Sequence, residues 1–226
     1  LFAQLCQRSP APFAAYLRWP HGTVISASPE RFLAVQGQRV WTEPIKGTRP
    51  RSPDLATDAA WADDLCHSPK DRAENVMIVD LLRNDLGKVC LPGNIRVEAL
   101  CELRRYAQVQ HLVSRISGQL APGQDAFDAL RAMLPGGSVT GAPKRKAMEI
   151  IDQLEPARRG IYCGSIGYLS YDGQMDSNIA IRTLTAQAGH LHFWAGGGIV
   201  ADSQAEAEYQ ECYAKAQSLL ILFKNH

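Results

Sequence analysis

The chain carries an unusual run of residues, Pro44-Ile45-Lys46-Gly47-Thr48-Arg49-Pro50-Arg51, directly after a predicted strand. Pro44 fixes its own φ and favours extended geometry in the residue before it, while Gly47 allows a positive φ or close approach of a ligand. Lys46 therefore lies at a constrained bend, where its amine can serve as a nucleophile. A solvated loop lysine is the commoner state, because strongly perturbed groups are the minority.

Composition limits the class of protein. The 226 residues, 46% of them hydrophobic, suffice for one large domain, which we favour, or for two small ones. A formal net charge of +1 gives no reason to expect nucleic acid or an anionic membrane as partner. No apolar run approaches the length of a membrane span, no signal peptide is visible, and the cysteines form no Cys-x-x-Cys pair. These features favour a cytoplasmic small-molecule enzyme with reduced thiols.

Turn residues and periodicity predict a mixture of strands and helices. Strands are predicted over residues 23–28, 39–42, 95–100, 109–120, 161–171, 177–186 and 190–194. Helices are predicted over residues 53–66, 69–84, 125–133, from 143 onward, and over 203–223. The first two of these helices have Ser52-Pro53 and Ser68-Pro69 as their start signals, and the last has a capping-box signature in Ser203 and Glu206.

The helix over residues 69–84 carries a carboxylate on its apolar face. Glu74 shares that face with four apolar residues that lie three to eight positions further on. Burial of an unpaired charge is costly, so Glu74 is expected to meet a cation, a metal or a hydrogen-bond partner. The alternative is that Glu74 lies at the edge of the stripe and pairs with Arg72 or Lys70.

The C-terminal helix presents charged residues along one face. Glu208, Glu211 and Lys215 follow at offsets of zero, three and seven. A surface salt bridge between Glu211 and Lys215 is one interpretation. The other is that both carboxylates join a third, from another helix, in an all-oxygen site suited to Mg²⁺.

Two further polar residues lie in predicted strands. Arg182 shares a face with Ala180 and Leu184, where a guanidinium is best used to hold a carboxylate of the protein or of a substrate. Both options stay open. His111 is either a hydrogen-bonded core histidine or a substrate contact.

Taken together and in this order, the motifs resemble those of the chorismate-utilising enzymes, which include anthranilate, aminodeoxychorismate, isochorismate and salicylate synthases. The resemblance covers nearly the whole chain. It rests on Ser28-Pro29-Glu30-Arg31, Pro44-Ile45-Lys46-Gly47-Thr48-Arg49, Glu74 before Val79-Asp80-Leu81-Leu82-Arg83-Asn84-Asp85, His111-Leu112-Val113-Ser114, Gly141-Ala142-Pro143-Lys144, Ile179-Ala180-Ile181-Arg182-Thr183, and the stretch from Gly196-Gly197-Gly198 to Lys215.

The resemblance implies an α+β fold in which two large, mainly antiparallel sheets pack face to face and helices cover the outer faces. Residues 1–226 would form a chorismate-binding catalytic domain. Because the chain begins at Leu1 and the family's catalytic region is longer at its N-terminus, we expect the C-terminal part of a longer chain, with a fold that is incomplete at the N-terminus.

Within the family, the residue between Ile45 and Gly47 distinguishes the reactions. Anthranilate synthases typically carry alanine there, and one widespread type of aminodeoxychorismate synthase carries lysine. The resemblance therefore implies that Lys46 attacks ring C2 of chorismate, with Glu30 as general acid toward the C4 hydroxyl. Ammonia would then add at C4 and displace the lysine, giving 4-amino-4-deoxychorismate for 4-aminobenzoate and folate biosynthesis.

The resemblance also assigns binding residues and partners. It implies a Mg²⁺ site of Glu74, Glu208 and Glu211, and chorismate contacts from His111, Tyr168, Arg182, Gly197, Gly198 and Lys215. No glutaminase nucleophile signature is present, so ammonia would come from a separate glutamine amidotransferase subunit or from free ammonium. The alternatives are an anthranilate synthase component I and a non-catalytic fragment that binds chorismate or an amidotransferase.

Overall fold

A computed structural model describes residues 1–220, 222 and 223, which form mainly antiparallel strands together with helices. The strands are β1 (Phe13–Trp19), β2 (Gly22–Ser28), β3 (Arg31–Gln36), β4 (Arg39–Glu43), β5 (Ile45–Pro50), β6 (Arg96–Arg105), β7 (Val109–Gln119), β8 (Ser165–Leu169), β9 (Met175–Ile179), β10 (Thr183–Gln187) and β11 (His190–Phe193). The α-helices are α1 (Phe2–Arg8), α2 (Leu55–His67), α3 (Pro69–Leu86), α4 (Ala126–Met133), α5 (Lys144–Leu154) and α6 (Ala205–Leu220).

The chain divides into two compact units. The first unit comprises Leu1–Glu30, Glu155–Gly167 and Ser177–His226, and the second comprises Arg31–Leu154 and Tyr168–Asp176. Among the helices of the described residues, none combines the length and apolar character needed to cross a membrane. All six cysteines are free thiols, in agreement with the sequence-based expectation.

The first unit is built on an antiparallel sheet with the strand order β1-β2-β10-β11. Its core joins the sheet to both terminal helices. The buried residues are Leu5 of α1, Ile25 and Ala27 of β2, Leu184 of β10, and, at the C-terminal end, Leu219 and Leu222. Alternate residues of β2 and β10 face this core, as the period of a strand requires.

The other sheet has the order β5-β7-β4-β3-β9-β8, with β6 on the second edge of β7. β4 and β5 pair with successive halves of β7, and the carbonyl of Pro44 between them accepts a hydrogen bond from Ser114 N at 3.1 Å. Helices α2 and α3 contact β5 and β7. The buried residues Leu65, Cys101 and Leu112 join helix and sheet in this part of the core.

The predicted strand over residues 177–186 is wrong, because the chain leaves one sheet and enters another within it. β9 ends at Ile179 in the seven-stranded sheet, and β10 begins at Thr183 in the four-stranded sheet. Arg182, between them, has a φ of 49°. Arg182 therefore does not share a strand face with its apolar neighbours, although its side chain is partly buried.

The helix starts were predicted with mixed success. Ser68 caps α3 by accepting a hydrogen bond from the amide of Asp71, as expected. Helix α2, however, is capped by Asp54, whose side chain accepts the Thr57 amide at 2.8 Å. Ser203 uses its hydroxyl to donate to Glu208 at 2.6 Å instead of capping α6. The predicted end of that helix, near residue 223, falls partly outside the described residues.

Candidate active site

Lys46 of β5 makes two short polar contacts. Its Nζ donates to Oε1 of Glu74 at 2.7 Å and to the backbone oxygen of Ser138 at 2.9 Å. The side chains of Lys46 and Glu74 are only 14% and 11% exposed. Charges shielded from water to this extent interact more strongly than a surface pair does. Lys46 is therefore not a solvated loop lysine.

The carboxylate on the apolar face of α3 has the kind of partner that was expected. Glu74 meets a cation, and that cation is Lys46 rather than Arg72 or Lys70. The helix residues Ile78 and Leu82, one and two turns further on, are almost fully buried. Glu74 thus approaches β5 because the apolar face of α3 is buried against the sheet.

A bulge in β5 sets the direction of Lys46. In the β5–β7 ladder Lys46 is opposite Leu112 and Thr48 is opposite His111, so Gly47 is the extra residue. Gly47 has a φ of 78°, and a Cβ there would lie 2.8 Å from Leu65 Cδ1. Both conditions require glycine, as the sequence predicted. Bulges of this kind change the direction of a neighbouring side chain.

A buried polar network fixes α3 beside β7. Asn75, which follows Glu74 and has no exposed surface, donates to the Leu112 carbonyl at 3.4 Å. The Ser114 hydroxyl donates to Asn75 Oδ1 and accepts the amide of Cys101 at 2.9 Å. Buried polar groups that are satisfied in this way rigidify their surroundings. The network therefore holds the helix turn that carries Glu74 in register with the sheet.

His111 lies in β7 and is 3% exposed. Its Nδ1 is 2.9 Å from the hydroxyl oxygen of Thr48, and its ring centroid is 5.6 Å from that of Tyr106. This is the hydrogen-bonded core histidine that the sequence allowed. A role in substrate contact stays a prediction.

In the first unit, Gly197 lies against the charged face of α6. A Cβ at this position would lie 3.3 Å from Glu208 Oε2, 3.5 Å from Glu211 Oε1 and 3.7 Å from Lys215 Nζ. Lys215 donates to Glu211 at 2.6 Å and to the Gly196 carbonyl at 3.3 Å. The glycine therefore allows the backbone to approach two carboxylates and an ammonium group closely.

Arg182 has no ion-pair or hydrogen-bond partner for its guanidinium among the described residues. The side chain is partly buried, and this burial lowers its pKa from the ordinary arginine value. Its backbone oxygen accepts the amide of Ala27 at 3.1 Å, which ties the residue to β2. A desolvated cation is costly unless an anion pairs with it. The sequence left open either a protein carboxylate or a substrate carboxylate as partner, and no protein carboxylate pairs with Arg182 within residues 1–220, 222 and 223.

Glu30 follows β2 at the end of the first segment of the first unit and is 5% exposed. Its backbone is held on both sides: its amide donates to the Ser28 hydroxyl at 3.3 Å, and its carbonyl accepts the Ile179 amide at 3.1 Å. The carboxyl group is thus carried on a fixed stretch of backbone.

Comparison with known proteins shows the family. Residues 1–221 match the family model described as chorismate binding enzyme. The chain belongs to this family. The resemblance that the motifs indicated is therefore confirmed, as are the α+β class and the two antiparallel sheets.

Members of the chorismate-binding family with different activities match this chain. It is 55% identical over 219 residues to aminodeoxychorismate synthase component 1 of Klebsiella aerogenes, covering 97% of this chain and 49% of that protein. It is 48% identical over 220 residues to anthranilate synthase component 1 of Thermus thermophilus, covering 97% of this chain and 48% of that protein. The chain spans about half the length of the curated relatives it matches.

Solved structures of the chorismate-binding family have the same fold. The crystal structure of anthranilate synthase component I from Streptococcus pneumoniae superposes with a TM-score of 0.86 at 40% identity, covering 96% of this chain and 48% of that one. A putative isochorismate synthase from Bacillus anthracis gives 0.83 at 28% identity, covering 96% and 60%. Fold similarity therefore extends to relatives that are named for different reactions.

The carboxylates predicted to bind Mg²⁺ lie in different units of this chain. Glu208 and Glu211 converge on Gly197, and oxygen donors of this type fit Mg²⁺. Glu74 belongs to the second unit and holds Lys46. Within the described residues, no three His, Cys, Asp or Glu side chains form a group that could hold a metal ion. The metal site stays a prediction.

Tyr162, before β8, and Tyr168, within β8, differ in environment. Tyr168, the predicted contact for chorismate, is 62% exposed. Tyr162, which the sequence reasoning did not select, places its hydroxyl 3.2 Å from the position of a Cβ on Gly196 and stacks on Trp194 at 6.2 Å. Burial raises its pKa well above the ordinary tyrosine value. Residues 161–164 form a turn rather than the predicted strand, so strand alternation could not distinguish the two tyrosines.

Proposed function

We propose that this chain is the catalytic part of an aminodeoxychorismate synthase component I, which converts chorismate and ammonia into 4-amino-4-deoxychorismate. One observation carries the proposal: Lys46, in the motif position where anthranilate synthases typically have alanine, holds a shielded amine against Glu74 and the Ser138 carbonyl. An amine at that position supplies the nucleophile that the reaction at ring C4 needs.

In the proposed reaction, Lys46 leaves Glu74 and the Ser138 carbonyl, and its ammonium group gives up a proton to solvent, so that it attacks as a neutral amine. A C–N bond forms at ring C2 while the ring double bonds shift and the C4–O bond breaks, and Glu30 donates a proton to the leaving hydroxyl, which departs as water. A positioned general acid contributes roughly 10²–10⁴-fold. Ammonia then bonds to C4, the C2–N bond to Lys46 breaks, and the net exchange is ammonia for water.

The remaining predicted residues bind the substrate in this proposal. Arg182 takes one carboxylate of chorismate in a bidentate pair, which provides the anion that its guanidinium lacks in the described protein. Backbone amides at Gly197 and Gly198, together with Lys215, take the other carboxylate. His111 and Tyr168 complete the set as the family resemblance assigns them.

Glu74, Glu208 and Glu211 would hold a Mg²⁺ ion, which when bound supplies positive charge to the ring carboxylate. Before the carboxylate oxygens can bind the ion, the lysines that now contact two of them must move away. Lys46 leaves Glu74, Lys215 leaves Glu211, and the Ser203 hydroxyl keeps Glu208 oriented through the oxygen that it donates to. The two lysines are then available for the substrate.

A second protein is part of the proposal. The relatives named component 1 imply a further component, and we propose a glutamine amidotransferase subunit that delivers ammonia. The product would enter 4-aminobenzoate and folate biosynthesis in the cytoplasm.

Product identification tests the proposal. The protein is incubated with chorismate, ammonium and Mg²⁺, and the products are separated by chromatography and identified by mass spectrometry. We expect 4-amino-4-deoxychorismate from the wild type and none from Lys46→Ala. Anthranilate with pyruvate would instead establish the second candidate, an anthranilate synthase, which the 48% identity to the Thermus thermophilus protein favours. Chorismate binding without any product would establish a non-catalytic protein.

A further inference from the structure

The loop over residues 134–143, between α4 and α5, carries one of the two groups that hold Lys46. Its Ser138 carbonyl accepts a hydrogen bond from Lys46 Nζ at 2.9 Å. The loop contains a single short 3₁₀ turn, Gly137–Val139, and a bond from the Thr140 hydroxyl to the Gly136 carbonyl at 2.8 Å. A loop with so little internal structure depends on tethers to its surroundings for a fixed shape.

Lys144 ties both ends of this loop to α3. It is the first residue of α5, and its Nζ donates to the backbone oxygen of Met133, the last residue of α4, at 3.1 Å. The same Nζ donates to Oδ2 of Asp85, near the end of α3. The Lys144 side chain is 16% exposed and the Asp85 side chain 2% exposed. One ammonium group thus joins the start of the loop, its end and the helix.

The loop also packs directly on α3. Its contact lies between Glu74, which binds Lys46, and Asp85, which binds Lys144. A Cβ at Gly137 would lie 3.0 Å from Leu81 Cδ2 and 3.4 Å from Leu82 Cδ2. Glu74 lies on α3 before this contact and Asp85 after it. A single helix therefore supports both partners of Lys46, Glu74 directly and the Ser138 carbonyl through the loop.

Charge compensation of Asp85 does not by itself explain why Lys144 is held in this position. The other carboxylate oxygen, Oδ1, already accepts from Lys88 at 2.7 Å, and the Lys88 side chain is 56% exposed. One buried carboxylate thus carries two ammonium partners. Lys88 compensates the charge of the Asp85 carboxylate from the surface. Lys144 also binds this carboxylate, and in addition it connects the two ends of the loop.

We propose that Lys144 is a positioning residue for Lys46: through Asp85 and Met133 it fixes the loop whose Ser138 carbonyl directs the Lys46 amine. The effect on catalysis rests on the proposed function, whereas the effect on the position of the Lys46 amine does not.

Lys144→Met retains the length and apolar character of the side chain and leaves Lys88 to compensate Asp85, so the variant keeps a partner for the buried charge. Lys88→Met is the matched control, because it removes the other ammonium from the same carboxylate and leaves the loop untouched.

The first measurement needs no turnover. The full-length proteins are treated with an excess of an acetylating N-hydroxysuccinimide ester, and modification of Lys46 is followed over time by peptide mass spectrometry, with Lys215 as internal reference. Lys144→Met is expected to raise the rate at Lys46 several-fold, because the amine loses the Ser138 carbonyl. Lys88→Met is expected to leave it at the wild-type rate. Equal rates in the wild type and Lys144→Met, or equal changes in both variants, would overturn the inference.

The second measurement separates positioning from a merely structural role. Without ammonia, formation of the Lys46 adduct is followed by intact-protein mass spectrometry over a range of chorismate concentrations up to saturation. Misplacement of the amine by about 1 Å is expected to slow the adduct in Lys144→Met by up to roughly 10²-fold, with the half-saturating chorismate concentration unchanged. If Lys144→Met fails to fold, Lys144→Gln is tested instead, because glutamine keeps a donor for the Met133 carbonyl. The same two measurements apply to it. The same changes are expected, and the same results would contradict the inference. A wild type without adduct, in which acetylation still responds to Lys144, would refute the proposed function and leave the positioning role in place.

Discussion

At the scale of single residues, Arg182 combines two opposite effects in one side chain. Its partly buried guanidinium has no anionic partner among the described residues, and burial lowers its pKa. Such a cation destabilises the free protein, and under the proposed function a substrate carboxylate would stabilise it. Binding and stability should therefore respond in opposite directions to its removal.

Arg182→Met is expected to raise the thermal unfolding midpoint, because it removes the desolvated charge, and to weaken chorismate binding about 10- to 100-fold, the worth of a charged hydrogen-bond pair. Thermal denaturation and calorimetric titration measure the two effects. Arg159→Met is the control, since Arg159 has a carboxylate partner, Glu155, at 2.6 Å. That variant should lose stability and keep its affinity. A destabilised Arg182→Met with unchanged affinity would contradict the assigned role.

At the scale of elements, a buried carboxylate joins four strands of the seven-stranded sheet. Glu43 of β4 is 6% exposed and accepts hydrogen bonds from Arg31 of β3, Arg104 of β6 and Arg115 of β7. Burial alone would raise the pKa of Glu43, but the bonds from the three guanidinium groups outweigh it and lower that pKa below the ordinary glutamate value. Arg31 also forms a two-bond pair with Asp176 of β9.

Glu43→Gln should remove a pH-dependent part of the stability. A carboxyl group with a lowered folded-state pKa stabilises the fold above its unfolded pKa, about 4.5, and this stability is lost as pH falls through the folded value. The free energy of unfolding at pH 7 should fall by about 1–3 kcal/mol in the variant, because three guanidinium groups lose the carboxylate that they share, while Arg31 keeps Asp176 and Arg104 keeps Glu102. Urea denaturation between pH 7 and pH 3 measures this. Parallel pH curves for the wild type and the variant would count against the network.

The elements differ in how far the sequence could predict them. Helix α3 and strand β7 repeat apolar residues over many positions, so their extents were predicted closely. The break at Arg182 was missed because an apolar run looks the same whether it stays in one sheet or changes sheets. Lys46 and Glu74 were each selected for chemical reasons, yet their mutual contact follows from the packing of α3 on the sheet. The Ser138 carbonyl had no sequence signal, since every residue has such a group.

At the scale of the whole molecule, the proposed function requires a source of ammonia, and two buried cysteines bear on whether this chain could release it from glutamine. Release of ammonia from glutamine by covalent catalysis needs an activated nucleophile such as a thiolate. Burial raises the pKa of Cys90 and of Cys163 to about 11, so both are protonated thiols at neutral pH. Neither can serve as a glutaminase nucleophile.

Under the proposed function, in which a separate amidotransferase subunit delivers ammonia, the protein is expected to use ammonium and not glutamine as nitrogen donor when no partner is present. With ammonium, the rate of 4-amino-4-deoxychorismate formation should rise with pH, because neutral ammonia is the species that bonds to C4. With glutamine alone, no product should form until a glutamine amidotransferase is added. Parallel assays with each donor, with product quantified by chromatography, measure both effects. Glutamine-dependent product from the isolated protein would contradict the requirement for a partner, and a rate independent of pH at fixed total ammonium would contradict attack by neutral ammonia.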